Sequence, residues 1–341
     1  MTRTVAGPRR PSWRRRVAGP AVLALLALGL SGCTTESVTP SATAPVAYAT
    51  IGARVPNPGS TVAVVDTVTG ALGRPIGVGT LPSALALLPG AEDLVVAVKA
   101  QNELVEVSTS TGKVVGRVVV GLEPDAVAVT PDGRLALVAN FGDGTLTSVR
   151  LADFRVGTTV AVGHQPVAVA VTPDGSRALV ADYQDGTLTP VAIPDMAAGP
   201  PIAVGPEPSA VFITADGATA LVAGFQTSTV TPVALPALAA GPPVPIGANP
   251  TGIAGAPGSP VAWISAGEGI TPMAVATRQV GHPVAIGAPA ECIGMAPGGA
   301  AWVCSGNGAL IEVDPAKGKV VRTVALDGLP SAVVVSPAAP H

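Results

Sequence analysis

Three histidines, His164, His282 and His341, are the first residues to weigh for acid–base or metal chemistry, and no shared motif joins them. The chain has no Cys-x-x-Cys-His, no zinc-ligand spacing and no Gly-x-Ser-x-Gly. The expectation is therefore no catalytic residue, no metal and no cofactor. Asn140-Phe-Gly-Asp143-Gly and Asp182-Tyr-Gln-Asp185-Gly hint at cation loops. Their ligands fall short of a calcium loop, and Asp-Gly turns explain the same residues. Cys292 and Cys304 flank Pro297-Gly298-Gly299. If those three residues form the loop of a hairpin, Ala296 faces Ala300, Cys292 faces Cys304 and Trp302 faces Gly294, whose missing side chain leaves the indole room. Opposed Cα atoms at a hydrogen-bonded pair lie ~5.5 Å apart, within disulfide range. The pair is either a disulfide, which an oxidising compartment permits, or two buried thiols.

The third cysteine has a different setting. Residues 1–32 carry six arginines and no acid, then an apolar run from Val17 to Leu30, then Leu30-Ser31-Gly32-Cys33. That is the layout of a secretory signal. Its last four residues resemble the lipobox of bacterial lipoproteins, which implies cleavage before Cys33 and acylation of its thiol and new amine. The resemblance places the mature protein on the outer side of a bacterial membrane, held by lipid. Arg14-Arg15-Arg16 leaves export by the general or the twin-arginine route open. Residues 33–44 read as a Ser/Thr/Pro-rich tether.

Without the signal, 13 basic residues face 22 acidic ones, a net charge of −9. No basic cluster remains, so nucleic acid is not an expected partner. Charged residues are 12% of the chain and hydrophobic ones 48%, a mix that suggests a membrane protein. Yet eight prolines interrupt the longest charge-free stretch, Gly217 to Gly267, so no spanning helix survives there.

The elements that would position any site come from a repeat. Val127-Ala-Val-Thr-Pro131-Asp-Gly returns 42 residues later as Val169-Ala-Val-Thr-Pro173-Asp-Gly, and Asp143-Gly-Thr-Leu-Thr returns as Asp185-Gly-Thr-Leu-Thr. Extension gives repeats 80–121, 122–163, 164–205, 206–247, 248–287 and 288–327. Each holds four short Val-, Leu- and Thr-rich runs separated by Pro-Asp-Gly or Gly, which are strands with hairpin turns. In the second repeat the runs are 126–130, 135–139, 145–151 and 158–162. Four strands per ~40–45 residues is the period of a propeller blade. Leu329-Pro-Ser-Ala matches Leu81-Pro-Ser-Ala. The C-terminus therefore supplies the inner strand of a seventh blade, whose other strands are 46–50, 61–66 and 75–78. The expected fold is all-β: a seven-bladed propeller over residues 45–337, one blade composite, with a tail at 338–341.

Gly133-Arg-Leu-Ala-Leu-Val-Ala-Asn140, Gly144-Thr-Leu-Thr-Ser-Val149 and Thr61-Val-Ala-Val-Val-Asp-Thr-Val-Thr-Gly70 resemble the YVTN-repeat, or surface-layer-protein-type, propellers. Repeats 248–287 and 288–327 depart from that pattern, lacking Pro-Asp-Gly and carrying Trp263 and Trp302 instead. The resemblance implies fold more than activity. Some related propellers hold haem d1 or a lactonase metal, on inward His or carboxylate clusters that this chain does not offer.

Phe141, Tyr183 and Phe225 recur at matching positions, each opening the loop between second and third strands. Blade-linking loops emerge on the same face, which should also carry Glu123, Asp125, Asp143, Asp182, Asp185, Glu207, Glu268 and Glu291. The rings either anchor a partner or plug the gaps between blades. The expected function is a monomeric, lipid-anchored, non-catalytic binding or scaffold module for an envelope protein, polymer or small ligand. A propeller enzyme or cofactor carrier and a purely structural envelope component are the rivals.

Overall fold

The computed structural model describes residues 45–53, 59–235 and 237–337; the expected signal, Cys33 with its tether, and the tail lie outside them. Seven antiparallel sheets are built on one plan. In blade 3, Pro124–Val129, Leu135–Asn140, Thr145–Arg150 and Arg155–Ala161 pair in chain order from the inside out. The seven inner strands pack in a closed cycle in which Leu329–Val335 touches both Ala290–Met295 and Pro82–Leu87. The molecule is a seven-bladed β-propeller.

Blade 1 is the composite one. Its order from the inside out is Leu329–Val335, Val46–Ala53, Thr61–Asp66, Ile76–Gly77. Ala47 pairs with Val335 and Ala49 with Val333, and Ser336 exchanges hydrogen bonds with Val46 at 2.8 and 3.0 Å. Joining the two ends removes the open edge that an unclosed ring would present.

Hydroxyls that follow the first proline of the inner strands tie neighbouring blades together. Ser83 donates to Pro124 O, Ser209 to Pro250 O, Thr251 to Ala290 O and Ser331 to Pro82 O, at 2.7–3.1 Å. Asp125, Val167 and Glu291 hold the same position in blades 3, 4 and 7. Second and third strands are sandwiched between adjacent sheets, so both of their faces are buried and Ala and Val fill them. Leu137 and Ala139 of blade 3 share one core with Ala178 and Val180 of blade 4.

The Pro-Asp-Gly turns form as their residues dictate. Gly133 sits at φ 69, Gly175 at 70 and Gly217 at 67, the left-handed region that glycine enters freely. Asp132, Asp174 and Asp216 each accept from the threonine two residues back and from a turn N–H. Those bonds lower all three carboxyls, Asp174 to about 2.

Outer strands differ from the expectation of equal runs. Blades 2, 3 and 7 carry seven-residue outer strands: Lys113–Val119, Arg155–Ala161 and Lys319–Ala325. Blade 3 thus gains Arg155 to Gly157 over the expected run. Blades 4 and 5 instead keep two-residue pieces either side of Gly199-Pro200-Pro201 and Gly241-Pro242-Pro243. Proline cannot donate to the ladder, so the strand breaks and the edge is blunted. Pro190 and Pro232 of the third strands lie opposite the breaks, each accepting from the glycine N–H at 2.7 Å.

The hairpin of blade 7 has the expected register: Cys292 opposite Cys304, Gly294 opposite Trp302. The structure joins the two cysteines as a disulfide, with Cα atoms 4.9 Å apart. The reason for Gly294 is a different one. A Cβ there would lie 2.7 Å from Val333 O, so the close neighbour is blade 1 rather than the indole.

Candidate recognition face

Each blade alternates direction, so the molecule has two loop faces. Turns between first and second and between third and fourth strands share one side, where Leu151 N donates to Arg134 O. Loops between second and third strands and between blades share the other, where Val162 N donates to Gly144 O. This second side, the mouth face, receives the expected residues.

Phe141, Tyr183 and Phe225 open their loops as anticipated, each N–H donating to the preceding linking loop, at Glu123 O, Gln165 O and Glu207 O. All three rings are half-buried. Tyr183 donates its hydroxyl to the Glu207 carboxylate on the next blade; desolvation and that bond push the phenol above its usual range. Phe141 meets a residue that the sequence reading missed. Lys99 Nζ lies 4.5 Å from the ring centroid, 2.7 Å from Asp125 Oδ1 and 3.9 Å from Glu123 Oε2. The repeat holds the signal: Lys99 occupies in blade 2 the slot that Phe141, Tyr183 and Phe225 occupy in blades 3 to 5, at 42-residue intervals.

Several acids of this face are engaged in the fold. Asp143 accepts from Leu122 N at 3.0 Å, and Asp185 accepts from His164 N at 2.7 Å. The backbone bond from His164 is the main cause that lowers the Asp185 carboxyl, and the imidazole Nδ1 lies 3.0 Å from Asp185 Oδ1. Asn140 and Asp182 fill one slot in successive blades and bind the preceding linker through Gly121 N and Gly163 N. Asp182 is fully buried and accepts from Thr187 and Thr189; burial nonetheless raises its carboxyl above the ordinary range. These oxygens hold loops in place and are not an open cation cage. Glu123 and Glu268 are exposed, Glu207 is taken by Tyr183, and Glu291 stands at the mouth over Gly306, raised by partial desolvation.

Three leucines complete the face, also unforeseen. Leu81 and Leu122 are exposed in the linking loops that lead into the inner strands of blades 2 and 3, and Leu329 is exposed at the start of the inner strand of blade 1. With Phe141, Tyr183 and Phe225 they form an apolar arc over blades 1 to 5. Leu81 adopts φ 58; the equivalent left-handed positions in the next four blades hold Glu123, Gln165, Glu207 and Asn249.

His164 lies in the mouth-face loop before blade 4 and His282 just before the short outer strand Val284–Ala285 of blade 6, on different elements. Among the described residues, no three His, Cys, Asp or Glu side chains stand close enough to hold a metal ion.

No family model matches the chain, and no curated protein does. Solved structures do. A functionally unknown protein from Desulfotomaculum acetoxidans aligns at TM-score 0.75 and 16% identity, over 88% of this chain and 100% of that one. Hydrazine synthase from Kuenenia stuttgartiensis aligns at 0.67 and 17%, over 74% and 89%. Dihydro-heme d1 dehydrogenase NirN, in complex with DHE, aligns at 0.64 and 14%, over 88% and 77%. At such identities the likeness carries the fold alone, and that fold is the seven-bladed β-propeller.

Proposed function

We propose that the chain is a YVTN-repeat-type propeller, exported and lipid-anchored through Cys33, whose mouth face binds an envelope protein or polymer without performing chemistry. The observation that carries this reading is the apolar arc of Leu329, Leu81, Leu122, Phe141, Tyr183 and Phe225 on one face. Leucines left exposed on a loop face cost solubility. Such features persist where a partner covers them. Glu123, Glu268 and Glu291 edge the arc with negative charge, so the partner would present an apolar ridge flanked by cations.

The test is affinity capture from solubilised envelope with the mature protein, repeated with Leu81→Ser/Leu122→Ser. A partner held by the parent and released by the variant, at unchanged melting temperature, supports the reading. Equal capture by both proteins overturns it.

A further inference from the structure

We propose that the turn face of blades 7, 1 and 2 is the surface that lies against the membrane, where it meets an anionic lipid headgroup layer; the proposal rests on acylation of Cys33. The described chain begins at Pro45, and the structure fixes which face it starts from. Pro45 O accepts both the N–H and the hydroxyl of Thr67, at 3.1 and 2.7 Å, in the turn between the third and fourth strands of blade 1. That is the side opposite the mouth.

Twelve residues, 33–44, separate the acylated position from Pro45. Fully extended they span at most ~40 Å. A six-residue strand already measures ~20 Å. Bringing the mouth face to the membrane would spend half that reach on passing the blade, before rounding its rim. The turn face needs none of it.

The side chains around this point suit a headgroup layer. Val68 and Leu72, in the same turn as Thr67, are 63% and 46% exposed. Arg74 follows on blade 1, and Lys113 and Lys319 start the outer strands of blades 2 and 7. These three cations are exposed and have no acidic partner within 4.0 Å among the described residues. The acids nearest Lys319 and Arg74 in sequence are already engaged: Asp314 with Lys317, Glu312 with Arg322, and Asp66 with the N–H groups of Val68 and Thr69; Glu106 is the acid nearest Lys113. Glu92 and Asp93 lie on the adjoining blade 2 turn. In a mature chain of net charge −9, anionic lipid repels the molecule as a whole, so cations free of partners decide which side approaches.

Acylated protein carrying Val68→Cys or Leu122→Cys, labelled with a fluorophore, tests this in vesicles containing nitroxide-headgroup lipid. With Cys33 acylated and Cys292 joined to Cys304, the introduced thiol is the one that labels. Quenching is expected at position 68 and not at 122, stronger with phosphatidylglycerol than with phosphatidylcholine alone. Arg74→Gln/Lys113→Gln/Lys319→Gln should lose the phosphatidylglycerol increment. Equal quenching at both positions, or more at 122, overturns the proposal while leaving the anchor in place. An N-terminal peptide of unacylated mass overturns the anchor reading and this proposal with it.

Discussion

Removing residues 329–341 takes the inner strand out of blade 1 and leaves Val46–Ala53 as a bare edge facing the channel. Val333 and Val335 are 7% and 8% exposed, and they pack with Ala47, Ala49 and Trp302 in one core that spans blades 7 and 1. Burial of two valines contributes about 3–6 kcal/mol, at ~1.5–3 kcal/mol each. The Ser331 hydroxyl, donating to Pro82 O and accepting from Thr50, adds roughly 1 kcal/mol for each bond. The total approaches the ~5–15 kcal/mol that holds a whole domain together. At ~2–4 °C per kcal/mol for a large domain, the truncated protein should melt at least ~10 °C below the parent. Calorimetry of the two proteins decides it. A peptide of residues 329–337 added in trans should recover part of the loss by binding the vacant edge. A truncated protein that melts with the parent, indifferent to the peptide, would refute closure by this strand.

Gly294→Ala should destabilise by about 1–3 kcal/mol, because its Cβ meets Val333 O; urea denaturation reads it, and an unchanged midpoint would contradict the close packing. Asp182→Asn should be tolerated, since Asn140 fills the same slot, whereas Asp182→Ala should cost about 1–3 kcal/mol by stranding Gly163 N and two threonine hydroxyls. Because Asp182 titrates higher in the folded state, the folded protein binds its proton more tightly. Its contribution to stability therefore falls as pH rises from the ordinary aspartate range through the raised value, and wild type should lose ground to Asp182→Asn as pH rises above the ordinary aspartate range in matched denaturation curves. Asp174 works the other way: its stabilisation is present above the ordinary range and is lost as pH falls towards about 2. Reduction of the Cys292–Cys304 bond should lower stability by at most ~2–3 kcal/mol without unfolding the ring, and two thiols alkylatable in the native protein would show the bond absent.

Fold was legible because a propeller repeats its chemistry. The 42-residue period, the turn residues and the Leu-Pro-Ser-Ala match between the two ends give blade number and composite closure, and hairpin length gives the cysteine register. Less legible was anything that depends on a neighbouring blade. Gly294 answers to Val333 O, 39 residues away in sequence, and Lys99 reaches Asp125 across a blade boundary. The proline breaks were visible as prolines. Their effect on pairing follows only once Pro190 and Gly199 are known to face each other. The leucine arc escaped notice because Leu329 and Leu81 read as part of the closing strand match, and Leu122 has Thr80 and His164 as its counterparts in the neighbouring repeats.

The most direct test of the recognition face places a photo-crosslinking residue at Leu122 on the mouth, or at Val156 on the outer strand of blade 3, in cells that make the full chain. Both positions are exposed, and they lie on different surfaces. Illumination should yield a discrete adduct from position 122 and none from 156, and Phe141→Ser/Tyr183→Ser/Phe225→Ser should abolish it at near-parental melting temperature. Adducts from 156 alone, or an adduct that survives the triple change while the protein melts lower, would mean that the rings plug the gaps between blades and the mouth face is not where the partner binds.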